Sequence, residues 1–150
     1  MRVLMVCLGN ICRSPMAEAV LAAQAPTWQV DSAGTNGLHD GELADERTRR
    51  VLRAHGLATS HRSRQVVAAD FTRFDLLLAM DRRNVRDLEA FRPANATARV
   101  QLLGAWDPQG ESEVPDPYYD DLPEFEAVYA QVLRCCQALV ARPEGGSARK

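Results

Sequence analysis

Cys7 and Arg13 stand with five residues between them in VCLGNICRSPMAE, residues 6–18, and Ser14 follows the arginine directly. An apolar run ends at Cys7, and the Ser14-Pro15 pair behind the arginine is suited to opening a helix. A strand that passes through a glycine-containing loop into a helix N-terminus gathers unpaired backbone N–H groups and the positive end of the helix dipole, so it binds anions. A thiol aimed into that ring beside a guanidinium is expected to ionise at neutral pH and act as a nucleophile. Arg13 carries a planar fork that matches two phosphoryl oxygens, and Ser14 can donate a hydrogen bond to the sulfur. Gly9 is expected to supply backbone geometry closed to other residues, and Asn10 to take a left-handed conformation. The loop thus offers a nucleophile and a phosphate cradle together.

Other phosphate loops do not fit. A Walker A loop needs Gly-Lys-Ser/Thr, and the only lysine is Lys150; a dinucleotide fingerprint needs three spaced glycines where this stretch has one. The bare spacing is not diagnostic, because Cys136 and Arg142 repeat it without a glycine between or a serine after. That second pair reads as a core cysteine beside a surface arginine.

The elements that must hold the loop follow from apolar patterning. Strands are predicted over residues 2–7, 28–32, 74–80 and 99–103, and helices over 14–25, 45–55, 81–91 and 123–141. Gly56 is expected to end the second helix and Asp81 to cap the third. A long loop, residues 104–122, carries proline, glycine and many acids. The strands are apolar on both faces and alternate with helices, which predicts an α/β fold: a single-domain three-layer sandwich, a parallel sheet with helices on both faces. Ligands then bind beyond the carboxyl ends of the strands, where Cys7 sits. The domain is expected to span residues 1–142, with a disordered tail over 143–150.

At 150 residues the chain is long enough to bury about two thirds of its unfolded surface as one domain. A net charge of −2 gives no electrostatic case for nucleic acid or an anionic membrane. No run approaches the roughly 18 apolar residues of a membrane span, and a cytoplasmic location is expected. Four cysteines, Cys7, Cys12, Cys135 and Cys136, include no CxxC pair, so neither a zinc ribbon nor structural disulfides are indicated. No metal-ligand spacing is found.

VCLGNICRSPMAE resembles the signature of the low-molecular-weight protein tyrosine phosphatases. The resemblance continues through VDSAG (30–34), AMD (79–81) and DPYYDD (116–121) and so covers nearly the whole chain. It implies a four-stranded parallel sheet and metal-free, cofactor-free hydrolysis of phosphotyrosine in a protein through a phosphocysteine. Residues 8–14, Leu8, Gly9, Asn10, Ile11, Cys12, Arg13 and Ser14, would hold the phosphate, and inorganic phosphate, sulfate or vanadate would bind there too. Displacing a phenolate, whose conjugate acid has a pKa of about 10, calls for a proton donor. Prolines on both sides of Asp116 would fix its carboxyl, and nearby Asp120, Asp121, Glu124 and Glu126 would favour its neutral form. The family's acid falls on Asp116. Asp120 and Asp121 read rather as acids at a helix N-terminus, and Asp107-Pro108 as a turn.

The resemblance places Tyr118 and Tyr119 on one wall of the crevice and Leu38 at a variable, often aromatic wall position. Ile11 resembles the tyrosine-directed members, since the related arginine phosphatases carry threonine there. Cys12 corresponds to a cysteine that can form a reversible disulfide with the nucleophile. Asn10 with Ser32, and His61 with Asp81, resemble positions that brace the loop. His39 and His55 read as loop and helix-end residues, and Arg47, Arg49, Arg50 and Arg53 as a solvated helix face. A phosphoarginine phosphatase stays open as an alternative. An arsenate reductase fits poorly, for it needs further redox cysteines that are absent between Cys12 and Cys135.

Overall fold

Arg2–Cys7 forms strand β1, and its side chains alternate between two cores. Val3, Met5 and Cys7 enter one apolar cluster, Leu4 and Val6 the other. From Val3 onward neither face of the strand meets water, which is why its sequence is an unbroken apolar run. In the computed structural model, which describes residues 1–142, three more strands join it: β2 (Gln29–Gly34), β3 (Leu76–Ala79) and β4 (Arg99–Leu102). The order across the sheet is β2-β1-β3-β4, and every neighbouring pair is parallel.

Helices α1 (Arg13–Gln24), α2 (Glu46–Ala54) and α5 (Leu122–Ala141) pack into the first cluster through residues such as Leu21, Leu52 and Phe125. Helices α3 (Asp70–Arg73) and α4 (Arg82–Phe91) cover the other face through Phe71 and Leu88. The result is the three-layer sandwich that the alternation of elements predicts. Because β1 lies between β2 and β3, the winding reverses there, and the crevice opens beyond the ends of these two strands. Cys7 ends β1, and Asp81 follows β3 by two residues.

Several boundaries differ from expectation. Helix α1 begins at Arg13 with Cys12 in the cap position, and not with Ser14 as the cap. The Ser14 hydroxyl is drawn into the loop instead, and Pro15 falls at the third helical position, where a missing N–H leaves no bond unmade. Strand β2 runs on to Gly34, while β3 and β4 are shorter than their apolar runs. Helix α3 and a 3-10 turn over Leu103–Trp106, four residues each, are too short for periodicity to resolve. Gly104 in that turn lies against the Ser112 carbonyl, which a Cβ would strike, so this glycine lets the long loop fold back toward the sheet. The stretch 143–150, expected to be disordered, lies outside the described residues. Among the described residues no helix is long and apolar enough to cross a membrane.

Candidate active site

The loop after β1 is anchored from outside by its carbonyls. Those of Cys7, Leu8 and Ile11 accept from the backbone N–H groups of Thr35 (3.0 Å), Asn36 (3.0 Å) and Asp45 (2.8 Å). The Gly9 and Cys12 carbonyls accept from the hydroxyls of Ser63 (3.0 Å) and Thr48 (3.2 Å). No peptide here is cis, and in a trans peptide the N–H points opposite to the carbonyl before it. Fixing these carbonyls outward therefore turns the N–H groups of Leu8, Gly9, Asn10, Cys12 and Arg13 inward. The Asn10 N–H reaches Cys7 Sγ at 3.3 Å.

Asn10 is the hub beneath this ring. Its φ of 57° is left-handed, as its residue type suggests. Its Nδ2 donates to Ser14 Oγ (2.7 Å) and Ser32 Oγ (3.0 Å). Since an amide nitrogen only donates, Ser14 Oγ must accept from it, which leaves the Ser14 O–H for Cys7 Sγ, 3.0 Å away. Ser32 likewise accepts from Asn10 and donates to Glu18 Oε1 at 2.6 Å. Asn10 Oδ1 accepts from the Arg64 N–H (3.0 Å) and from His61 Nε2 (2.8 Å). Gly9 differs from expectation: it has no positive φ, and its lack of a side chain answers instead to the His39 ring, whose Cδ2 would lie 3.0 Å from a Cβ.

Arg13 is buried, and its hydrogen bonds among the described residues leave from Nη1, to Asp81 Oδ2 (2.8 Å) and the Val114 carbonyl (3.0 Å). Its Nη2 lies 3.7 Å from Asp116 Oδ2. Burial alone would lower the Arg13 pKa, but Cys7, Asp81 and Asp116 more than offset that and hold its proton tightly. Asp81 divides its two oxygens between tasks: Oδ1 accepts from the Asn84 N–H (2.9 Å) to cap α4, while Oδ2 fixes Arg13. Against burial, these bonds keep its carboxyl below the usual range.

Asp116 faces the loop from the opposite wall, with Oδ1 accepting from the Tyr118 N–H at 3.1 Å. The charge set beside it is Arg13. Of the acids expected to crowd it, Asp121 is the residue before α5, Glu124 accepts from the Asp121 N–H (3.0 Å), and Glu126 pairs with His55 (2.9 Å). Sequence reasoning missed what holds this segment. Arg47 is not on a solvated face: it grips Asp45 with Nε and Nη2 (3.0 and 2.9 Å) and donates to the carbonyls of Asp120 (2.7 Å) and Tyr118 (3.0 Å). Its guanidinium also lies over the Phe125 ring, 4.3 Å from the centroid. Asp45 in turn caps α2 and donates its own N–H to Ile11 of the loop.

These parts enclose a crevice of about 240 Å³. Cys7, Arg13 and Cys12 line it on the loop side, with Leu8, Gly9 and Ile11. Asp116, Tyr118, Tyr119 and Leu38 line its mouth. Asn36 and His39 also line it; His39 reads from sequence only as a loop residue, and the signal for Asn36 was only its place in the segment after β2. Tyr118 meets Tyr119 edge-on at 4.9 Å between centroids. Cys12 is a free thiol, as is Cys7, and burial with the Asp45 carboxylate pushes its pKa up. Asn10, Ser14, Ser32, His61 and Asp81 lie in contact with the loop or Arg13, outside the crevice. Asp107 is buried and paired with Arg134 at 3.0 Å, apart from the crevice lining. Cys135 and Cys136 are buried in α5, where burial pushes the Cys135 thiol up to about 12 and Cys136 up as well.

Comparison with known proteins agrees with this arrangement. A low molecular weight phosphotyrosine protein phosphatase from Sus scrofa is 43% identical over 148 residues, covering 93% of this chain and 94% of the relative. The crystal structure of a protein tyrosine phosphatase from Entamoeba histolytica, with Hepes in its active site, superposes with a TM-score of 0.90 at 37% identity, over 97% of this chain and 98% of the other. A Drosophila arginine phosphatase superposes with a TM-score of 0.89 at 36% identity, over 96% and 98%. The sequence profile of the low molecular weight phosphotyrosine protein phosphatases matches residues 2–145, and the chain belongs to that family of cysteine-based hydrolases.

Proposed function

We propose that this chain hydrolyses phosphotyrosine in protein substrates through a phosphocysteine on Cys7. The observation that carries the reading is the convergence on one sulfur of the Ser14 O–H and the Asn10 N–H, with Arg13 and Asp116 across the same crevice. In the first step Sγ attacks phosphorus in line, forming the S–P bond as the P–O bond to the ring breaks. The inward N–H groups and Arg13 hold the equatorial oxygens as charge shifts onto them, and Asp116 gives its proton to the departing phenol oxygen. In the second step Asp116 takes a proton from water, the water oxygen attacks phosphorus, and the S–P bond breaks with the sulfur received by the Ser14 hydroxyl. Phosphate leaves, and the enzyme is restored.

Ile11 favours an aryl ester. Buried at the crevice wall, it gives the leaving group an apolar contact that suits a phenol better than a guanidinium. The likeness to an arginine phosphatase keeps phosphoarginine as a second reading. Wild type and Cys7→Ser compared on phosphotyrosine, phosphoserine and phosphoarginine peptides test both. Turnover is expected on phosphotyrosine, blocked by orthovanadate and reduced to background in Cys7→Ser. Turnover that persists without the thiol refutes the covalent route, and a preference for phosphoarginine selects the second reading.

A further inference from the structure

Outside the crevice lining, Glu18, Asp31 and His61 converge from α1, β2 and the segment after α2. We propose that Glu18 Oε1, Asp31 Oδ1 and His61 Nδ1 form a binding site for a zinc-type divalent ion. One ligand atom from each residue lies within 4.8 Å of the others, and Nδ1 is 3.3 Å from Oε1 and 3.5 Å from Oδ1. Zinc bonds to nitrogen and oxygen of about 2.0–2.1 Å set neighbouring ligands of a tetrahedron about 3.3–3.4 Å apart, so little movement is needed to close on an ion.

The tautomer of His61 is already set for ligation. Its Nε2 faces Asn10 Oδ1, which can only accept, so Nε2 carries the hydrogen and Nδ1 of the neutral ring presents a lone pair. This is the arrangement in which a second partner orients a metal-binding imidazole. The His61 side chain is nine-tenths buried, and what Nδ1 faces is two carboxylate oxygens, which also carry only lone pairs. Nδ1 thus meets these two oxygens lone pair to lone pair in a partly buried space, a gap that a cation, either a proton or a metal ion, would close.

The carboxylates are aimed by other bonds: the Ser32 hydroxyl donates to Glu18 Oε1 (2.6 Å), and the Ser32 N–H to Asp31 Oδ1 (2.8 Å). Arg64, the cation nearby, is committed to Asp31 Oδ2 (3.1 Å) and to both oxygens of Asp70 (3.0 and 3.1 Å), away from the face that Nδ1 meets. Glu18, Asp31, Asp70 and Arg64 together leave negative charge at the site. Mixed imidazole and carboxylate donors suit zinc over magnesium or calcium, and solvent supplies the fourth position. Binding exchanges the ion for the proton, which goes to the buffer.

The test uses the full chain carrying Cys7→Ser, which removes a thiol that would compete for the metal. Calorimetric titration with zinc is expected to show one ion per chain with about one proton released near pH 7. Cobalt in its place is expected to give visible d–d bands without a sulfur-to-metal charge-transfer band. Added Glu18→Gln or Asp31→Asn, each able to keep its bond from Ser32, should weaken binding about tenfold or more. The imidazole nitrogen resonances of His61, read by NMR in the same background without these changes, should shift at Nδ1 and hold at Nε2. No binding at millimolar zinc, a charge-transfer band that puts the ion on Cys12, affinity unmoved by both substitutions, or an unshifted Nδ1 resonance each overturns the proposal.

Discussion

The phosphate loop and the segment that carries Asp116 face one another across the crevice, yet they are built on opposite plans. Asn10 and Ser14 are fully buried, and Arg13 is 3% exposed. Asp116 is 44% exposed at its side chain and Tyr119 is 94% exposed. Five loop carbonyls are tied to the body of the protein, and the Asn10 side chain alone takes part in four hydrogen bonds. The Asp116 segment hangs on far fewer contacts, chiefly Arg47. On the proposed reading, a nucleophile and its oxyanion donors act at fixed distances, so rigidity serves them. On the same reading, a proton donor at the mouth must first admit a bulky phosphorylated side chain, so looseness serves it.

Breaking the open side at its chemistry gives the largest effect. Asp116→Asn is expected to lower turnover of phenyl phosphate by about 10²–10⁴, and far less for p-nitrophenyl phosphate, whose leaving group needs no proton; equal losses on both would mean another residue is the acid. Breaking the rigid side at its hub comes next. Asn10→Ala leaves Ser14, Ser32, His61 and the Arg64 N–H short of a partner and should cost about 2–4 kcal/mol in urea unfolding, with activity lost as well. An unchanged unfolding midpoint would show that the loop does not depend on this hub. Loosening the open side without touching its acid is a milder change: Arg47→Ala should lower kcat on phenyl phosphate by about tenfold to 10². A change confined to KM would instead assign Arg47 to substrate binding.

The smallest effect sharpens the comparison through pH. Glu18, whose carboxyl rises from 4.5 to about 7 on folding, is protonated more readily in the folded chain. Its contribution to stability is therefore full below about pH 4.5 and is lost as pH climbs through 7. His61 moves the opposite way, losing stability as pH falls below 6.5, with Asp31 and Arg64 facing both groups. Glu18→Gln, which mimics the protonated acid, should gain on wild type by about 1–2 kcal/mol across that window in chelator-washed protein. A parallel pair of pH–stability curves would show that Glu18 does not titrate there.

What could be read in advance was what the chain states locally. The apolar run 2–7, the glycine and asparagine after it, and the spacing of apolar residues through α5 each need only neighbouring positions to be interpreted. What escaped depends on distant pairs. Arg47 looks like any arginine on a polar helix face until residues 118–120 arrive beside it, and nothing in its own neighbourhood announces them. Glu18, Asp31 and His61 form no ligand spacing along the chain, because the sheet and the segment after α2 bring them together. Ser14 was legible as a helix-opening residue, but the stronger demand of Cys7 and Asn10 on its hydroxyl moved the cap to Cys12.

The divided carboxylate of Asp81 binds folding to chemistry. It stands just past the end of β3 and reaches across to the residue that opens α1, so it ties the two central strands of the sheet at their working end. Fraying of the first turn of α4 therefore loosens one of the two hydrogen bonds that hold the guanidinium, the other being to the Val114 carbonyl. Opening at this one helix end is thus felt at the anion grip on the far side of the same carboxylate.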